Sequence, residues 1–190
     1  MTRIIAGAAR GRRLTAPAGT RTRPTSDRAR EGLFATITAV HGPFAGAGVL
    51  DLYAGSGAVG LEALSRGAAR ALLVESDPVA ARVIRANIAA VGLPGARLVT
   101  GRVATVLAGR PGPGPGFDVV VADPPYATGE QEITEMLAAL RAGGWLAGGA
   151  LVAVERASRS GPVAWPAGYA PDRSRRYGEA TFWYGLAAGA

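Results

Sequence analysis

Cysteine and lysine are both missing from this chain of 190 residues, and histidine occurs once, as His41. Without cysteine there is no disulfide, no thiolate metal ligand and no thiol nucleophile. His41 follows an apolar-periodic helical stretch and precedes Gly42-Pro43, so it reads as a solvated helix-end residue, and no metal site is expected. No uncharged apolar run reaches the roughly 18 residues that a membrane span needs. The opening MTRIIAGAARGRR also lacks the apolar stretch of a secretion signal. A soluble, cytoplasmic, monomeric protein with no membrane partner is expected.

The missing lysine gives the charge a particular chemistry. All 21 basic residues are arginines, whose planar guanidinium makes forked contacts with phosphate and stacks on bases. The formal net charge is +7. Residues 1–30 hold eight arginines (Arg3, Arg10, Arg12, Arg13, Arg21, Arg23, Arg28 and Arg30) against Asp27 alone. Residues 31–190 hold thirteen arginines and thirteen acids, so the whole excess lies in the first thirty residues. RIIAG and RGRRLTAP, bridged near Ala8 to Gly11, read as two short strands of a basic hairpin, followed by the connection AGTRTRPT. The bland reading of this end is a solvated basic segment in a chain that prefers arginine throughout.

With 48% hydrophobic and 18% charged residues, the chain can bury a core. Thr25 or Ser26 is placed to cap a helix carrying Ala29, Leu33, Ile37 and Val40 at helical spacing. From Gly48 onward, short apolar runs (GVLDLY, ARALLVES, ARLVTG, FDVVVAD, ALVAVER) alternate with helical segments (GAVGLEALSRG, DPVAARVIRANIAAVG, VATVLAG, EQEITEMLAALRAGG). Such alternation predicts a mostly parallel sheet with helices on both faces. RPGPGPG is a loop within this unit, and RSRRYGEATFWYG reads as a closing hairpin that turns near Gly178.

VLDLYAGSGAVG contains Gly55, Gly57 and Gly60 at the spacing of a strand-to-helix ligand turn, with Asp51 just ahead. A pyrophosphate held on that turn would be repelled by the carboxylate. S-adenosylmethionine, with an ammonium, a sulfonium and no phosphate, would be attracted. Glu75, at the end of the next strand, is placed to accept hydrogen bonds from ribose hydroxyls. An oxidoreductase using GSGAVG for NAD(P) is the rival reading of this turn.

VVVADPPYA ends another apolar strand in Asp123-Pro124-Pro125-Tyr126. Two consecutive prolines stiffen the backbone and leave carbonyls as fixed acceptors. The Asp123 carboxylate and the Pro124 carbonyl together suit the two hydrogens of a planar amine. Tyr126 offers a face on which a base can stack.

With DLYAGSGAVGLEALSRGA, the Glu75 strand end, DPPY, RIIAGAARGRRL and RPTSDRAREGLF, the chain resembles the RsmD family from about Arg3 to Tyr184. These are bacterial 16S ribosomal RNA (guanine-966-N2)-methyltransferases, of the class I S-adenosylmethionine-dependent type. The resemblance implies a Rossmann-like, seven-stranded, mostly parallel α/β sheet with a small N-terminal β-hairpin extension. Residues 1–24 would be the RNA-binding hairpin and linker, and residues 25–190 the methyltransferase domain. Cofactor contacts are implied at Asp51, Tyr53, Gly55, Ser56, Gly57, Glu75 and Val103, and target-amine contacts at Asp123, Pro124, Pro125 and Tyr126. RNA contacts are expected at Arg3, Arg10, Arg12, Arg13, Arg23, Arg28 and Arg30, the partner being 16S rRNA or the assembling small subunit. One departure stands out. Many relatives place Asp or Asn after the third strand to reach the adenine amine, where this chain has Gly101-Arg102-Val103. Arginine accepts no hydrogen bond, so backbone groups are expected to hold adenine here. Two other readings remain: a DNA adenine-N6 or other nucleic-acid amine methyltransferase, and a non-enzymatic RNA-binding assembly protein.

Overall fold

The structure, a computed structural model, describes residues 2–17 and 27–189. The first stretch carries β1 (Thr2–Arg3) and β2 (Arg13–Leu14). The second begins with α1 (Asp27–His41) and then alternates: β3 (Gly48–Leu52), α2 (Ala58–Ser65), β4 (Arg70–Glu75), α3 (Pro78–Val91), β5 (Ala96–Thr100), α4 (Val103–Leu107), β6 (Phe117–Ala122), α5 (Glu130–Ala142) and β7 (Leu146–Ala157). It ends in the hairpin β8 (Tyr169–Tyr177) and β9 (Ala180–Ala187). Among the described residues, no helix is long and apolar enough to cross a membrane.

The seven-stranded sheet has the order β5-β4-β3-β6-β7-β9-β8. Its first five strands are parallel; β9 and β8 join antiparallel at one edge. Side-chain alternation along the central strands sorts the core into two layers. Val49, Val121 and Ala153 pack with Leu33 and Ile37 of α1 and Leu61 of α2. Leu50, Val120 and Val152 pack with Leu107 of α4 and with Ile133 and Leu137 of α5. The strands are thus covered on both faces, which is why they read as continuous apolar runs. Sheet building reverses direction between β3 and β6, so a crevice opens at the carboxyl ends of these two strands.

Three local expectations are corrected. The run ALVAVER is only the second half of β7, which begins at Leu146 and shifts register against β6 between Phe117 and Val119. The intervening Gly148-Gly149 pair has no apolar alternation to read. His41 does close α1 but is partly covered, its ring centroid 6.3 Å from that of Phe44. In the N-terminal hairpin, regular pairing is confined to Thr2–Arg3 with Arg13–Leu14, and most of RIIAG is not strand. There the backbone N–H groups of Ile5 and Ala6 donate instead to the Glu62 carboxylate of α2, at 2.7 and 3.0 Å. The caps expected at Thr25 or Ser26 lie outside the described residues.

The hairpin is seated on α2 by more than that carboxylate. Ser65 Oγ accepts from the Ala9 N–H at 2.9 Å, and the Ser65 carbonyl accepts from the Ala8 N–H at 2.7 Å. Gly7 has φ +82°, and a Cβ there would stand 1.7 Å from the Ser65 carbonyl oxygen, so only glycine allows this approach. Ile4, Ala9 and Leu14 are buried in the same core layer as Leu33 and Leu61.

Candidate active site

The turn after β3 is built from left-handed backbone. Tyr53, Gly55 and Gly57 have φ of 61°, 57° and 77°, and Gly57 is the N-cap of α2. A Cβ on Gly57 would meet Leu73 at 2.9 Å, so its glycine also lets α2 lie close to β4. Asp51 is buried beneath the turn, and its Oδ2 accepts from the Gly60 N–H at 2.9 Å. Burial pushes the Asp51 carboxyl up to about 8, the Gly60 hydrogen bond opposes the rise, and the charges of Asp123 and Glu75 add to it. Glu75 is tied to both neighbouring turns: its oxygens accept from Gly55 N–H and Asp77 N–H, each at 2.8 Å. These bonds use two of about four lone-pair positions on the carboxylate and leave acceptor capacity for a hydroxyl.

The carboxyl ends of β3, β4 and β6 enclose a cleft of about 360 Å³, into which Asp51, Tyr53, Gly55, Ser56, Glu75 and all four residues of DPPY open. That is a small-ligand volume. Asp123 follows β6 directly, and its N–H donates to the Leu52 carbonyl at 3.3 Å, fastening the motif to the end of β3. Pro124 is buried, whereas Tyr126 is 52% exposed at the cleft mouth. Burial pushes the Tyr53 phenol up to about 12, helped by the Glu132 charge. Burial raises Tyr126 as well, followed by the charges of Glu155 and Asp123. Both tyrosines are neutral hydroxyls at neutral pH.

Some expected residues stand elsewhere. Gly57 does not face the cleft, since it packs under the turn against Leu73 and Ile84. Val103 is the first residue of α4, and its side chain is buried in the α4/α5 core layer, away from the cleft walls. Arg102 is the exposed residue capping α4. Arg3, Arg10, Arg13 and Arg28 are exposed. Arg12 reaches across to α3, and its Nη1 donates to the Ala90 and Val91 carbonyls at 2.8 and 2.7 Å. Arg30 is only 1% exposed; its Nη2 donates to the Arg3 carbonyl and to Asp27 Oδ1, and it lines the cleft. Arg23 lies outside the described residues.

The structure adds residues that motif reading missed. Asn87 of α3, buried, binds both backbone groups of Thr15 at 2.9 Å and donates to the Ser56 carbonyl at 2.8 Å. It links the glycine turn to the segment that follows β2, whose Ala16 and Pro17 form a cleft wall. Glu155, on β7, also lines the cleft. A signal for it exists in the sequence: GVLD, ALLVE, VVVAD and LVAVE are four apolar runs, each ending in an acid, and all four acids come to one cleft.

A model of the family described as conserved hypothetical protein 95 matches residues 2–185. "Ribosomal RNA small subunit methyltransferase D" of Escherichia coli (strain K12) is 39% identical over 180 residues, covering 95% of this chain and 87% of that protein. The chain belongs to the RsmD family. The Haemophilus influenzae protein of the same name is 34% identical, over 80% of this chain and 77% of its own length. The solved structure of yhhF from Escherichia coli superposes on this RsmD-family chain with a TM-score of 0.85 at 37% identity, covering 100% of this chain and 99% of that one. A hypothetical protein from Thermus thermophilus gives a TM-score of 0.78 at 35% identity, covering 97% and 98%. The fold is that of class I S-adenosylmethionine-dependent methyltransferases, with a two-stranded N-terminal sheet added.

Proposed function

We propose that the protein methylates the exocyclic N2 amine of a specific guanine in 16S ribosomal RNA, using S-adenosylmethionine and acting on the RNA or the assembling small subunit. The observation that carries this reading is the shared cleft: DPPY and the acid-lined glycine turn stand side by side at the ends of β6 and β3. Relatives across nearly the whole chain bear the name of small-subunit rRNA methyltransferases. The cleft chemistry fits a cationic cofactor, because Asp51, Glu75 and Asp77 surround the turn where a pyrophosphate would need cations.

S-adenosylmethionine, bound there, supplies an electrophilic methyl group. Asp51 attracts the ammonium of its amino-acid part, and Glu75 accepts from its ribose hydroxyls. Asp123 and the Pro124 carbonyl accept hydrogen bonds from the two hydrogens of the guanine amine, which aims the nitrogen and stabilises positive charge growing on it. The electron pair of the broken carbon–sulfur bond would stay on sulfur, and one N2 proton would leave by way of the Asp123 carboxylate. Tyr126, exposed at the mouth, stacks on the unpaired base. Orientation and fixed charge do the work, with no covalent intermediate on the protein.

The test is incubation with methyl-labelled S-adenosylmethionine and small-subunit particles from cells lacking the enzyme, followed by mapping of the label. Label at N2 of one guanine is expected. Label only on a DNA adenine, or cofactor binding without transfer to any nucleic acid, would overturn the proposal.

A further inference from the structure

Asp123 and Glu155 stand next to each other at the ends of neighbouring strands. In the parallel register of β6 and β7, Ala122 is opposite Val154, so positions 123 and 155 come next on the two strands. Strand alternation turns both toward the sheet face of Val121 and Ala153, the face covered by α1 and α2 and the one on which Asp51 lies. Strands about 4.8 Å apart therefore bring two acids to one wall of the cleft. Glu155 is only 5% exposed and lines that cleft together with Asp123, Tyr126 and the ring of Phe182, its cross-strand neighbour on β9. Its charge acts on the Tyr126 phenol ahead of that of Asp123. A base stacked on Tyr126 with its amine at Asp123 would therefore turn the rest of its hydrogen-bonding edge toward Glu155.

Resting on the guanine-N2 reading above, we infer that Glu155 is the residue that selects guanine, its carboxylate accepting the N1–H hydrogen while Asp123 holds the N2 amine. Guanine presents adjacent donors at N1 and N2, and an ionised carboxylate is only an acceptor. Two neighbouring carboxylates match two neighbouring donors. Adenine carries no hydrogen at N1, so the buried Glu155 carboxylate would face a lone pair. Such a mismatch discriminates strongly, because an acceptor is set against an acceptor where guanine would bring a donor. Burial of Glu155 beneath the mouth keeps water from substituting for the missing donor.

The experiment uses small-subunit particles reconstituted with RNA carrying guanosine, 2,6-diaminopurine riboside or 1-methylguanosine at the methylated position. The second retains the N2 amine but offers a bare acceptor at N1; the third keeps N2 and the 6-oxygen but has no N1 hydrogen. For wild-type protein, kcat/KM on guanosine should exceed that on either analogue at least about 10-fold. Glu155→Gln carries an amide that can donate to a bare N1, so its preference for guanosine over diaminopurine should fall by at least about 10-fold. Its melting temperature and S-adenosylmethionine affinity should match wild type. An unchanged preference in Glu155→Gln would overturn the inference. So would equal wild-type rates on all three bases, a comparison that decides even if the variant does not fold. Failure of the underlying reading looks different: wild-type protein would place no label on the N2 of guanosine. A structural role alone for Glu155 would lower the variant's stability and leave the base preference unmoved.

Discussion

The Glu62 carboxylate, buried within α2, accepts hydrogen bonds from the backbone N–H groups of Ile5 and Ala6 at 2.7 and 3.0 Å. It also receives Arg66 Nε at 2.8 Å. One acid of the cofactor-turn helix thereby anchors the basic hairpin fifty-odd residues upstream. Removing it by Glu62→Ala leaves two half-buried donors without an acceptor, which should cost about 2 kcal/mol, or roughly 4–8 °C in Tm. Amide exchange at Ile5 and Ala6 should accelerate in parallel. A variant with unchanged melting temperature and exchange would show that the hairpin is held by other contacts.

Asp51 should make cofactor binding depend on pH. Its carboxyl is raised from 3.8 to about 8, so below that pH the empty protein holds a proton that an incoming ammonium must displace. S-adenosylmethionine affinity should therefore rise with pH toward about 8 and fall again above it, as the cofactor's own α-ammonium loses its proton, with proton release from Asp51 on binding at pH 7. The same shift acts on stability with a definite sign. Between 3.8 and about 8 the folded state binds more protons than the unfolded one, so this contribution is full below 3.8 and is lost as pH rises toward 8. Calorimetry in buffers of different ionisation enthalpy checks the first effect. Asp51→Asn should abolish the proton release, weaken binding and flatten the stability profile.

Asp123→Ala should lower the methyl-transfer rate by about 10² or more, the usual scale for removing one preorganised partner of a developing charge. Cofactor affinity should barely move, because Asp51 and the glycine turn stay in place. Single-turnover rates with titrated cofactor binding separate the two. A near wild-type rate would reduce DPPY to a structural loop.

The N-terminal arginines should divide into two groups. Arg10 and Arg13 are exposed, so replacing both by glutamine should flatten the slope of log RNA affinity against log salt by about 1.4 to 1.8 and leave the melting temperature alone. Arg12, bound to the last carbonyls of α3, should behave oppositely. Arg12→Gln should lower the melting temperature with a smaller change in slope. Binding measured at several salt concentrations alongside thermal melts checks both, and a common response of all three positions would reject the division.

The order of elements, the sheet with two covered faces and the cleft edge were legible in the chain itself. Strand alternation and helical spacing act over a few residues, and parallel strands necessarily send their carboxyl ends to one edge, so Asp51, Glu75 and Asp123 could be brought together on paper. What a side chain meets across a distance in sequence was not legible. Charge counting treats Arg10, Arg12 and Arg30 alike; packing leaves the first in solvent, lays the second on α3 and buries the third beside Asp27. Glu155 reads locally as one acid ending an apolar run, and only the β6–β7 register, with β9 closing the far side, seats it beside Asp123 in the cleft. Gly7, Glu62 and Ser65 likewise reveal the hairpin's seat only once α2 lies against it. Local geometry follows from bonded neighbours and solvent exposure, whereas the partners of a buried charge are settled by which surfaces the finished core presses together.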